Sequence, residues 1–150
     1  KAARSEKAIE RISTGIDDLD EVLGGGIVPG SVTLLAGQPG IGKSTLLLQV
    51  AATIAKGEQV LYISGEESSQ QVALRASRLG ANDSEKLDFA ASTSANDIAA
   101  TIHDGRYGLI IVDSIQTMSV DEMTSAPGTV SQIYDKDGNV LSRTTGVKTC

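Results

Sequence analysis

The segment Gly37-Gln38-Pro39-Gly40-Ile41-Gly42-Lys43-Ser44 fits the pattern G-x-x-x-x-G-K-[ST] at every defined position. This pattern constrains the fold around it, because a strand must deliver the loop and a helix must leave it. Both neighbours are legible. Ser31 to Ala36 follows Pro29-Gly30 and is a short β-prone run, and Lys43 to Lys56 is a helical stretch that stops at Gly57. The apolar positions of that helix run nearly all round it, which predicts burial on more than one side. The chemistry needs these residues. Phosphates are crowded anions, and such a loop surrounds them with backbone N–H groups while the helix directs its positive end at the same oxygens. Glycines at 37, 40 and 42 permit positive φ and close approach of phosphate oxygens. Lys43 is expected at the β and γ phosphates, Ser44 at Mg²⁺ and Thr45 at the α phosphate of a bound nucleotide. A glycine-rich turn with no ligand is the competing reading, and the strand-loop-helix setting argues against it.

The rest of the chain extends this pattern. A length of 150 residues suits one domain, and 40% hydrophobic content is ordinary for a globular core. Thr14 reads as a helix N-cap with Asp17 in the first turn, and Gly24-Gly25-Gly26 stops that helix. Gln59 to Ile63 and Leu109 to Val112 are aliphatic strands, and Lys86 to Ala90 is a shorter one. Between them lie helices at Ser68 to Leu79, with a Ser68/Gln71 capping box, and at Ser94 to His103. Strands alternating with helices, and aliphatic throughout, predict an α/β fold whose mostly parallel sheet has helices on both faces. Ile133 to Leu141 reads as a hairpin around Asp137-Gly138.

Composition excludes several classes. Cys150 is the sole cysteine, so a disulfide framework or multi-cysteine zinc site cannot be built from this chain. A net charge of −6 disfavours blanket electrostatic binding to DNA, though not a local basic strip or a ring with a basic bore. No apolar run approaches the ~18 residues of a membrane span, and the first residues carry no signal-like apolar region. A cytoplasmic location fits.

Two further acidic sites invite chemistry. Leu109-Ile110-Ile111-Val112-Asp113 ends an aliphatic strand in a carboxylate, the arrangement that holds Mg²⁺ opposite the phosphate-loop serine. Its alternative role is to cap a turn with Ser114. Asp113 is followed by Ser114 and not by Glu, so a water-activating base must come from elsewhere. Glu66 and Glu67 lie at the carboxyl end of the Gln59 to Ile63 strand, where ligands of α/β sheets bind. Glu66 is the chosen base and Glu67 the alternative, with Glu67 otherwise capping the next helix. Both could also stand at that helix N-terminus for dipole reasons. Gln116 reads either as a γ-phosphate sensor or as a surface amide. Arg75 and Arg78 share a helix face that meets a partner subunit, nucleic acid or only solvent. His103 reads as a surface residue, and Phe89 and Tyr107 as packing residues.

These motifs together resemble the RadA (Sms) family of bacterial DNA repair ATPases, within the RecA-like superfamily of P-loop proteins. The resemblance rests on Ser13-Thr14-Gly15, Leu23-Gly24-Gly25-Gly26, the loop Gly37 to Thr45, and Tyr62 to Ser68. It continues through Arg75-Ala76, Arg78-Leu79-Gly80, Asp113-Ser114-Ile115-Gln116-Thr117-Met118 and Ser125-Ala126-Pro127-Gly128. It implies an ATP-dependent, DNA-stimulated motor acting on recombination intermediates as a hexameric ring. It supports Lys43 and Ser44 at the phosphates and metal, Glu66 as acid/base and Asp113 for Mg²⁺.

The family's four-cysteine zinc motif, its Lys-Asn-Arg-Phe-Gly motif and its Lon-protease-like domain have no counterpart in these 150 residues. The implied sheet also places a later strand between the phosphate-loop strand and the Asp113 strand. The expected organisation is therefore a linker over 1–12, the amino-terminal part of a RecA-like ATPase core over 13–132, incomplete as it stands, and a tail of distinct character over 133–150. Expected partners are ATP, further copies of the chain, and single-stranded or branched DNA through a longer parent, with no membrane. A nucleotide-gated switch with incidental hydrolysis is the alternative. A small-molecule kinase is a third reading, weakened by the lack of an arginine-rich lid.

Overall fold

The computed structural model describes residues 10–37, 42–81, 83–120, 132–134 and 140–143. Its centre is a sheet of three parallel strands: β1 (Val60–Ser64), β2 (Leu87–Ala91) and β3 (Leu109–Asp113). β1 lies in the middle and pairs in parallel with both others, Tyr62 opposite Phe89 on one side and Ile111 on the other. β4 (Gln132–Tyr134) and β5 (Val140–Arg143) extend the sheet beyond β2 as an antiparallel pair. The strand order is β3-β1-β2-β4-β5.

Side chains of a strand alternate between faces, and that alternation builds two cores. Val60, Tyr62, Leu87, Phe89 and Ile111 point to one face, which the helices α2 (Lys43–Ile54) and α3 (Ser69–Arg78) cover with Leu48, Ala51, Val72 and Ala76. Leu61, Ile63 and Ala90 point to the other, where α4 (Ala95–Asp104) contributes Ile98 and β4 contributes Ile133. Helices therefore cover both faces, as the aliphatic strands predict.

The capping box that starts α3 acts as read, and α4 begins with a cap of its own. Ser68 caps α3, accepting from the Gln71 N–H at 3.2 Å while its own N–H donates to Gln71 Oε1 at 3.0 Å. Ser94 caps α4 by accepting from the Asp97 N–H at 3.2 Å.

Two expectations fail. Thr14 is not a helix N-cap: α1 (Asp17–Val22) has Ile16 in that place, without a side-chain cap. Thr14 is instead buried, and its N–H and hydroxyl both donate to Asp20 Oδ1, at 2.8 and 2.7 Å. The Ser13 hydroxyl donates to Asp20 Oδ2 at 2.6 Å. Asp20, one turn into the helix, reaches back to accept from Ser13 and Thr14, while the Thr14 hydroxyl oxygen accepts from the Ile16 N–H at 3.3 Å and not from an amide of the first turn. These bonds, the Ser13 hydroxyl foremost, hold the Asp20 carboxyl below its ordinary pKa.

Ser31 to Ala36 is not a strand either, and every residue of it is exposed, Val32 at 99% and Leu34 at 74%. A β-prone run becomes a strand only beside a partner. Among the described residues, β3 ends the sheet on its outer side, and nothing there pairs with Ser31 to Ala36. The hairpin tip at Asp137-Gly138 and the motif Ser125 to Gly128 lie outside the described residues.

Candidate functional site

The carboxyl ends of β1 and β3 and the amino end of α2 meet at one rim of the sheet. Gly42 opens α2 with φ +82°, a left-handed conformation that a residue with a Cβ adopts only under strain. Lys43 folds back so that Nζ donates to the Gly37 carbonyl at 2.7 Å. The lysine thus joins Gly37 to the start of α2, and the loop residues Gln38, Pro39, Gly40 and Ile41 between them lie outside the described residues. Ser44 and Thr45 stand half-buried in the first turn of α2.

Strand parity explains what Ser44 meets. Leu109, Ile111 and Asp113 share the α2 face of β3, so the carboxylate emerges under the helix that begins at Lys43. The Ser44 hydroxyl donates to Asp113 Oδ2 at 2.5 Å, across 69 residues of sequence. The same oxygen accepts the phenol hydroxyl of Tyr62 at 2.7 Å. Tyr62 is fully buried, and that burial, reinforced by the bond to Asp113, raises its pKa above the usual phenol range. The Asp113–Ser114 peptide bond is cis.

The donor set suits Mg²⁺. The ion takes oxygen ligands and retains several waters or substrate oxygens, so one hydroxyl and one carboxylate are the usual protein share. Ser44 and Asp113 offer that share already in contact. No cluster of three His, Cys, Asp or Glu side chains that could hold a metal ion occurs among the described residues.

Glu66 and Glu67 separate in space. The Glu66 carboxylate is exposed just beyond β1 and makes no hydrogen bond or ion pair among the described residues. Glu67 is held: its N–H donates to Ser64 Oγ at 3.0 Å, and its carboxylate pairs with Arg75 Nη1 at 2.5 Å. Glu67 does not cap α3, because Ser68 already does so. Gln116 is exposed on the 3₁₀ turn Ile115–Thr117 that follows β3. Arg75 and Arg78 differ in their surroundings. Arg78 is exposed, whereas Arg75 is half-buried on Glu67, with its Nε and Nη2 buried and lacking an acceptor among the described residues. His103 is exposed.

Three residues carry more than sequence reasoning assigned them. Tyr62 is the only side chain with a polar tip in Val60-Leu61-Tyr62-Ile63, and it precedes by two the residue that pairs with Asp113. Period-two reading of both strands would have found it. Gly65 has no room for a side chain, since a Cβ there would lie 1.8 Å from Thr117 Oγ1. Its N–H donates to the Asp113 carbonyl at 3.0 Å, which joins the segment bearing Glu66 to the end of β3. Tyr107 is more than packing: its hydroxyl donates to the buried Asp88 at 2.9 Å, and burial raises its pKa also.

Comparison with known proteins gives a consistent family. A family profile described as an AAA domain matches residues 2–149. The DNA repair protein RadA of Aquifex aeolicus is 48% identical over 126 residues, covering 84% of this chain and 28% of that protein. RadA of Mycobacterium tuberculosis is 53% identical over 122 residues, covering 80% of this chain and 25% of its own length. RadA of Halalkalibacterium halodurans is 50% identical over 140 residues, covering 91% and 30%. The chain thus spans between 25% and 30% of the length of these three curated relatives.

Proposed function

This chain belongs to the AAA-domain family, and from that premise we propose that it is the ATP-binding and hydrolysing part of a RadA-like DNA repair ATPase. The observation that carries the reading is the contact between Ser44 and Asp113 at 2.5 Å, at the head of a helix that begins with Gly42-Lys43.

The proposed roles follow from placement. Gly37 to Thr45 receive the triphosphate, with Lys43 exchanging the Gly37 carbonyl for phosphate oxygens. Ser44 and Asp113 would hold Mg²⁺, which would supply neutralisation of phosphate charge. Glu66 accepts a proton from the water that attacks the γ-phosphorus, and the bond to the β–γ bridging oxygen breaks to leave ADP and phosphate. Its exposed, unpaired carboxylate supports this role over Glu67, whose carboxylate is already occupied by Arg75. Gln116, exposed on the turn that carries Thr117, is assigned the role of sensor.

The wider assignment is a cytoplasmic DNA-dependent motor that processes branched recombination intermediates, binds single-stranded or branched DNA, and assembles as a hexameric ring. It rests on the similarity to named DNA repair proteins. The test is made in a protein of its relatives' length that carries this segment. Lys43→Ala should abolish ATP binding or turnover, and Glu66→Gln should spare binding and stop turnover. Undiminished turnover with Lys43→Ala refutes the assignment, and loss of turnover with Glu67→Gln alone moves the base to Glu67. Slow hydrolysis indifferent to single-stranded DNA would instead identify a nucleotide-gated switch.

A further inference from the structure

We infer that Tyr62 is a positioning residue that sets the orientation of the Asp113 carboxylate and thereby the affinity of the site for a divalent cation. The inference rests on the reading of Asp113 as a Mg²⁺-holding group.

Tyr62 sits in the middle of the central strand with no exposed surface, its ring 6.4 Å from that of Phe89 at an angle of 53°. Phenylalanine would fill this place equally well as an apolar body, so the hydroxyl needs a reason to be there. A buried hydroxyl requires an acceptor, and this one finds Asp113 Oδ2 at 2.7 Å. Ser44 donates to the same oxygen at 2.5 Å. Oδ1 receives no hydrogen bond among the described residues.

Rotation of a carboxylate about its terminal torsion is broad and roughly two-fold. One donor constrains it weakly, because the group can pivot about a single bond. Two donors arriving at Oδ2 from different elements, α2 and β1, fix which oxygen faces inward. Oδ1 is then the oxygen left free for a metal ion or a metal-held water. If Ser44 turns its oxygen toward a cation, Tyr62 remains the donor that keeps Asp113 from swinging with it. Its hydroxyl is held rigidly, because the ring is locked in the core and cannot follow the loop.

The test is binding of a fluorescent, non-hydrolysable ATP analogue to the full 150-residue chain, titrated with Mg²⁺ and repeated in chelator. Tyr62→Phe keeps the ring and removes the hydroxyl. It should leave the chelator arm at the value of the unsubstituted chain and raise the Mg²⁺ concentration for half-maximal enhancement by about 10-fold or more, the usual effect of removing a partner of a metal ligand. A merely structural role would move both arms together or neither, and either result overturns the inference. Asp113→Asn separates the two claims. If it abolishes the Mg²⁺ enhancement while Tyr62→Phe has no effect, this inference fails and the parent reading stands. If Mg²⁺ leaves binding by the unsubstituted chain unchanged, both fail. Should Tyr62→Phe not fold, the unsubstituted chain supplies a second measure, since it has three tyrosines and no tryptophan. Mg²⁺ added with the analogue should then perturb the tyrosine near-ultraviolet spectrum, and its failure to do so overturns the inference.

Discussion

Substituting Gly65 by alanine probes how the segment bearing Glu66 is attached to the strand bearing Asp113. The φ of Gly65 is not in the left-handed region, so the requirement for glycine there is one of space. A Cβ would stand 1.8 Å from Thr117 Oγ1 and 2.7 Å from Thr117 Cβ, with Met118 Cε next at 3.1 Å. Thr117 cannot simply turn aside, because its hydroxyl donates to the Ser114 carbonyl at 2.7 Å within the 3₁₀ turn. Overpacking of this kind costs roughly 1–3 kcal/mol, and a lost hydrogen bond roughly 0.5–1.5 kcal/mol. Gly65→Ala should therefore destabilise the fold by about 2–4 kcal/mol, a large part of the ~5–15 kcal/mol of an ordinary domain. Thr117→Gly removes both of the nearest atoms and leaves only the flexible end of Met118. In that background the same alanine should cost less than about 1 kcal/mol, a coupling of about 1–3 kcal/mol. Urea unfolding followed by circular dichroism measures all four corners of the cycle, with the slopes compared to exclude changes in the unfolded state. Strictly additive costs would refute the contact as the reason for glycine.

Other consequences are more direct. Ser68→Ala should cost about 1 kcal/mol in the same unfolding assay, since it deletes the Ser68 hydroxyl that accepts from the Gln71 N–H and leaves only the backbone arm of the box that starts α3. Tyr62 and Tyr107 both have raised pKa values, so above the ordinary phenol pKa of about 10 the unfolded chain ionises first and stability falls as pH rises. Alkaline unfolding curves should show that decline for the unsubstituted chain and less of it for Tyr107→Phe. The 150-residue chain alone should hydrolyse ATP weakly or not at all, because Ser31 to Ala36 leads into the phosphate loop without a neighbouring strand among the described residues. Robust turnover by the purified chain would contradict this.

What could be read from sequence was governed by the range of the interaction. Ser68 with Gln71 is decided within four residues, and that box stands where the sequence places it, while the helix read from Ser94 begins with Ser94 as its cap. The aliphatic runs of β1 and β3 needed only composition, since each is packed between helices and neighbouring strands. Thr14 failed because its hydroxyl is committed elsewhere, donating to Asp20 six residues on and accepting from the Ile16 N–H, which leaves the start of the helix to Ile16. Ser31 to Ala36 failed because propensity describes a willingness to pair, and no partner reaches it among the described residues. Within the site, the loop pattern and Asp113 were visible as types, whereas their contact across 69 residues is a product of strand parity. Glu67 could not be separated from Glu66 without knowing that Arg75 turns back toward it.

The bare outer side of β3 leaves a signature in backbone amides. Leu109 N–H donates toward Gln59, and the Asp113 carbonyl accepts from Gly65, so the odd-numbered residues of β3 direct their polar groups to β1. Both peptide groups of a strand residue point the same way, and the even-numbered residues therefore face outward. Ile110 and Val112 present their N–H groups to the side where no strand lies among the described residues. Deuterium should enter at Ile110 and Val112 quickly while Ile111, between them, resists. Such an alternation within one strand would show that this edge is open to any strand that can reach it, and its disappearance would date the moment when one has.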